Sequence, residues 1–173
     1  MVSILGEGGS KDPNSLELFT KKRTRITNDQ RMEKPAVALK AARDLFKKKE
    51  GSKLKFRSIS NTYNCMGLVW ASRRTNIYDF NQLEKILHDD EYDEVKKIEE
   101  VMVGDILVYY DRHDIPNHIG IVVVHTPKLM SSNYDTWIMS KWGSDGEYIH
   151  KLNSDIEPKG YGPKTIFFSE RKY

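Results

Sequence analysis

One cysteine in 173 residues rules out an internal disulfide framework and a cysteine-built zinc site. No stretch approaches the roughly 18 consecutive apolar residues of a membrane-spanning helix. Neither sign of charge dominates: 28 Lys and Arg against 25 Asp and Glu leave a net charge of +3. That is far short of the dense basic stripe used on nucleic acid, so nucleic acid is not an expected partner. The opening residues Met1-Val2-Ser3-Ile4-Leu5-Gly6-Glu7 show neither the basic nor the apolar region of a secretory signal. The expectation is a cytoplasmic protein without a membrane segment. There is no internal repeat and no low-complexity tract. What is present, 38% hydrophobic and 31% charged residues, describes one domain with a single core and a well-solvated surface.

The lone cysteine sits in Asn61-Thr62-Tyr63-Asn64-Cys65-Met66-Gly67-Leu68-Val69-Trp70. Asn64 is a good N-cap, and the residues after it form one face of a short apolar helix. Cys65 then falls in the first helical turn, where unpaired N–H groups and the positive end of the helix dipole favour a thiolate. The competing reading is a small buried hydrophobe. Further on, Val103-Gly104-Asp105-Ile106-Leu107-Val108-Tyr109-Tyr110-Asp111 reads as a turn leading into an apolar strand. Asn117-His118-Ile119-Gly120-Ile121-Val122-Val123-Val124 is a second strand with a histidine at its entrance, and residues 136–143 make a third.

A helix N-terminal cysteine, a Gly-Asp strand and a His-led strand, in that order, resemble the NlpC/P60 superfamily of papain-like hydrolases and its CHAP-type amidase relatives. The resemblance spans about residues 58 to 170. It implies an α+β, papain-like fold: an antiparallel sheet of about five strands with the nucleophile-bearing helix packed on it. It also implies cleavage of an amide or peptide bond through a Cys–His pair and an acyl-enzyme, without cofactor or metal. The expected substrate is peptide-like, and a protein partner is compatible with the same fold. The rival reading is a non-catalytic papain-like module that binds a peptide or protein.

Within that reading Cys65 is the nucleophile and His118 the base that takes the thiol proton and returns it to the departing amine. The remaining histidines are His88 in an acidic stretch, His113 in a polar turn, His125 at the far end of the His118 strand, and His150 in a later one. The family's third residue lies on the strand after the histidine strand. Antiparallel pairing brings the end of that strand beside His118, which offers Ser140, its neighbour Lys141, or His150 in reserve. Ser140 can accept the imidazole N–H, whereas an ammonium cannot. The backbone N–H of Cys65, helped by Asn64 or Tyr63, would form an oxyanion hole.

The rest of the chain is framework. Residues 1–34 read as an extension, partly irregular and loosely packed, carrying the solvated basic cluster Lys21 to Arg25; residues 35–173 form the hydrolase domain. Pro35 opens a helix that Lys47-Lys48-Lys49 and Gly51 close. Residues 54–59 suit a short strand or an extended lead, and Asp79 caps a helix through Leu87. His88-Asp89-Asp90-Glu91-Tyr92-Asp93 is read as a solvated acidic loop, since it lacks the spacing of a calcium loop. Asp105 closes a turn. Gly143-Ser144-Asp145-Gly146 joins two strands across which Trp142 and Tyr148 either pack or wall a groove. Residues 161–168 give a last strand.

Overall fold

The computed structural model describes residues 14–47, 53–129, 131–142, 146–152 and 162–172. Among them are three α-helices, α1 (Ala36–Lys47), α2 (Cys65–Trp70) and α3 (Asn81–Asp89), and one short 3-10 turn (Ile98–Glu100). Seven strands complete it: β1 (Leu54–Ser58), β2 (Asp93–Val95), β3 (Ile106–Tyr110), β4 (Pro116–Pro127), β5 (Tyr134–Lys141), β6 (Glu147–Lys151) and β7 (Lys164–Ser169). They form one antiparallel sheet in the order β1-β6-β5-β4-β3-β7-β2. The architecture is mixed helix and sheet as expected, but the strand count is seven rather than about five. The strand that the sequence conceals is β2. Its Asp93 and Glu94 are exposed, and it exists because Asp93, Glu94 and Val95 pair with Ser169, Phe168 and Phe167 of β7.

Directly paired residues point to the same face of a sheet, and neighbours along a strand alternate. One face carries Ile106, Val108 and Ile119 and is covered by α2 and α3 through Cys65, Met66, Ala71, Leu83 and Ile86. The other carries Leu107, Tyr109, Val122, Ile138 and Phe167, packed with Val101. Leu54, Trp142 and Tyr148 cluster on a neighbouring part of that second face. Both faces are therefore buried in the centre of the sheet, which is why β3 and β4 read as nearly continuous apolar runs.

Two expectations about the N-terminal half are corrected. Residues 14–34 lack helix or strand, as expected, but they are not loosely packed: Leu18 and Ile26 are buried in the helix-side core. The stretch from His88 is not a solvated loop either, because Asp89 and Asp90 are buried and hold this arm down. Asp89 accepts from the Thr20 hydroxyl (2.8 Å) and from the Thr24 hydroxyl, and Asp90 accepts from the Lys21 N–H (2.6 Å). Hydrogen bonds from the Thr24 hydroxyl, then His88 and the Thr20 hydroxyl, hold the Asp89 carboxyl down at about 2. Asp105 closes its turn as read, accepting from the Met102 N–H (2.8 Å), and it also takes a two-pronged bond from Arg171 (2.6 Å to each oxygen).

Candidate active site

Asn64 builds the seat of the cysteine. Its side-chain oxygen accepts from the Gly67 N–H (2.9 Å), capping α2 as expected, and also from the Ile77 N–H (3.1 Å). Its amide donates to the Ile77 carbonyl (2.7 Å). The same side chain thus caps the helix and ties it to the segment beyond. Tyr63, the other proposed helper at an oxyanion, donates its hydroxyl to Glu147 (3.0 Å) and contacts the Ser58 hydroxyl (3.1 Å). Both side chains are engaged away from the sulfur.

The backbone N–H groups of Ile119 on β4, of Met66 and of Cys65 itself act on the Cys65 thiol in the direction that favours its anion. The positive charge of Lys141 acts the same way. Burial outweighs them and pushes the thiol up to about 11. The expected low-pKa thiolate is therefore reversed. A six-residue helix supplies only a small dipole, and exclusion of water disfavours the anion more strongly than the dipole supports it.

His118 comes close to the sulfur through its backbone but not through its ring. On β4 it pairs with Tyr109 of β3, the two rings lying 5.4 Å apart between centroids. That is the face of Leu107, Val122 and Ile138. Ile119, whose amide acts on the thiol, belongs to the helix-side core. The His118–Ile119 peptide reaches Cys65 while the imidazole projects from the opposite side of the sheet. Burial, and then the nearby His150, hold His118 well below 6.5. Passing a proton from a thiol pushed up to about 11 to an imidazole held well below 6.5 is strongly uphill. In this conformation Cys65 and His118 are not an ion pair.

The third candidates separate by strand parity. Ser140 pairs with Gly120 and Tyr148, on the face of His118, but its oxygen meets Nε2 of His150 (3.0 Å) and accepts from the Trp142 indole (2.9 Å). Ser140 and His150 come together, so Ser140 orients His150 rather than His118. Trp142 packs against both Tyr148 (4.7 Å) and His150 (5.4 Å), which makes it a core ring and not a groove wall. Lys141 goes the other way, to the face of Cys65. It is fully buried, its ammonium lies 5.4 Å from the Tyr63 ring, and Glu147 pairs with it across the strands. Glu147 in turn accepts from Arg73 Nε (2.7 Å) and Nη2 (3.0 Å). Sequence reading missed this network of Tyr63, Arg73, Lys141 and Glu147; its one signal was the pair of charged residues flanking a hairpin between apolar strands.

The remaining histidines lie elsewhere. His88 is exposed against Asp89 (3.1 Å), His113 sits in the turn closed by Asp111, and His125 stacks on Tyr134 at 4.4 Å. Among the described residues no group of three or more His, Cys, Asp or Glu is placed to hold a metal ion. Among those residues, too, no helix is long and apolar enough to cross a membrane.

The buried imidazole has a consequence for acid stability. A histidine whose folded pKa is depressed stays neutral in the fold while the unfolded chain takes up a proton, so stability falls as pH drops below about 6.5. Urea unfolding of the wild type and His118→Gln at pH 7.5 and 5.5 should show a smaller loss in the variant. Equal losses would mean that His118 titrates alike in both states.

No family model, no curated protein and no solved structure matches this chain.

Proposed function

We propose that the chain performs thiol chemistry on an amide or ester carbonyl through Cys65, on a papain-like scaffold of NlpC/P60 type. What supports this reading is the place of Cys65 at the start of an α2 capped by Asn64, where backbone N–H groups of Ile119, Met66 and Cys65 act on the thiol in the direction that favours its anion. Such donors serve a thiolate, and equally the oxyanion of a tetrahedral intermediate. The described conformation is then a resting one, with sulfur and imidazole both neutral. In turnover the thiol loses its proton, sulfur adds to the carbonyl carbon, and collapse expels the amine or alcohol with a proton. Water then attacks the acyl-sulfur bond and regenerates the thiol. The register shift where β4 slips against Tyr109 and Tyr110 places an extra residue, Asn117, directly before His118. A bulge of this kind re-aims the neighbouring side chain, which is the movement the imidazole needs.

The second reading, a non-catalytic module that binds a peptide or protein, is favoured by one specific observation: the ring of His118 faces away from the sulfur. Intact-mass spectrometry after incubation with a panel of peptide amides and activated esters separates the two. Catalysis requires an acyl adduct on Cys65 that Cys65→Ser abolishes and that His118→Ala depletes at least about 100-fold in rate of formation. A panel that leaves the mass unchanged, with one of its peptides bound reversibly, would establish the module instead.

A further inference from the structure

We propose that Thr24 is a phosphorylation site, modified by a protein kinase that reads the basic residues before it, and that the phosphate releases the N-terminal arm from α3. This goes beyond the thiol reading and does not depend on it. Lys21, Lys22 and Arg23 immediately precede the threonine, a charge pattern suited to a kinase with an acidic substrate cleft. The fold sets that run on a turn where Lys22, Arg23 and Arg25 are exposed and Thr24 is half-buried. The turn is a narrow hairpin. The Ile26 N–H donates to the Leu18 carbonyl (2.8 Å), the Thr20 N–H to the Thr24 carbonyl (3.0 Å), and the Arg23 N–H to the Thr20 carbonyl (2.9 Å). At its tip Arg23 has φ 66°, a left-handed conformation that is strained for a bulky residue. A strained surface turn opens at low free energy, and opening gives a kinase an extended stretch around the hydroxyl.

The role of Thr24 in the closed arm decides what a phosphate would do there. Its hydroxyl donates to Oδ2 of Asp89, which also takes the Thr20 hydroxyl (2.8 Å). Asp89 is the last residue of α3; it is buried, and its carboxyl is held down at about 2, so it is ionised at neutral pH. Phosphoryl transfer from a nucleoside triphosphate forms a bond from Thr24 Oγ1 to the γ-phosphorus and breaks the bond to the departing diphosphate. The hydroxyl proton passes to the base of the kinase. The donor is then lost, and a group carrying nearly two negative charges stands where it met a carboxylate, an arrangement that repels. The exposed Lys22, Arg23 and Arg25 offer the phosphate partners outside the clasp. Beneath the hairpin, Leu18, Thr20 and Ile26 line a small cavity with Trp70 and Ile86, so the joint that parts is not fully packed.

The whole chain is incubated with a panel of basic-directed serine/threonine kinases and MgATP, and the product is read by intact mass and peptide mapping. One phosphoryl group on Thr24 is expected, and none at that position in Thr24→Val. Hydrogen exchange then reads the clasp: the Ile26 amide should exchange at least about tenfold faster in the phosphorylated protein. A chain that takes no phosphate on Thr24 overturns the proposal, as does a phosphorylated chain with unchanged exchange at Ile26. A pair of variants tests the release without a kinase. Thr24→Glu places a charge against Asp89, whereas Thr24→Val removes the hydroxyl alone, so exchange at Ile26 should be faster in Thr24→Glu. Equal rates in the two variants overturn release by charge.

Discussion

Gly67→Ala should destabilise the fold by about 3 kcal/mol, the upper end for forcing an atom into a filled site. A Cβ built on Gly67 would stand 1.8 Å from the Thr75 carbonyl oxygen and 3.2 Å from the Tyr63 Cβ. The oxygen cannot retreat easily. Thr75 is fully buried and its hydroxyl donates to Asn28 (2.9 Å), while the neighbouring Asn76 exchanges backbone bonds with Asp29 at 2.9 and 3.0 Å. The added methyl must therefore lift the first turn of α2, which carries Cys65, away from β4. Urea denaturation with the thiol-labelling rate followed in parallel checks both parts. A midpoint within error of wild type would show that the segment after α2 yields more readily than its hydrogen bonds imply.

The second large effect concerns the thiol itself. Because burial raises Cys65 to about 11, only a small fraction is thiolate at pH 7. The folded protein should react with iodoacetamide about 100-fold more slowly than the same chain unfolded in urea, on thiolate fraction alone. The rate of the folded form should climb tenfold per pH unit until about 11. Linkage carries the same fact into stability. The fold holds this proton more tightly than the unfolded chain does, so its contribution is complete below about pH 9 and lost as pH rises to about 11. A labelling inflection near 7 or below would contradict the buried, neutral thiol and place an activating base beside it at rest.

Much of this fold is written locally. Asn64 before an apolar hexapeptide announces α2 and its cap, Pro35 announces the start of α1, and the apolar runs after Gly104 and Asn117 announce β3 and β4. These signals depend on residues within a turn or two of one another. Strand β2 has no such signal, since Asp93 and Glu94 owe their conformation to a partner more than seventy positions away. The arm escaped notice for the same reason: two buried side chains, Leu18 and Ile26, are too sparse for a period, and the core they join is built from α2, α3 and the sheet.

The site was legible by residue type and not by orientation. Cys65 and the His118–Ile119 peptide do meet, yet which face the imidazole takes depends on the parity of β4 relative to the helix above it. The alternation was visible in principle. Ile119 and Ile121 are the apolar side chains on one parity, and a helix as apolar as α2 packs on that side, leaving His118 on the other. The shift at Asn117 then sets where the count begins. The same parity sends Ser140 to His150 and Lys141 to the face that α2 covers, an assignment that one residue of slippage would exchange.

The order of the strands also has a consequence for vectorial synthesis. Among the described residues strand β1 pairs with β6 alone and β2 with β7 alone, so both edges of the sheet wait for segments translated much later. Closing pairs so distant in sequence is slow, so the two edges of the sheet are sealed late and limit how fast the domain closes over its helix-side core.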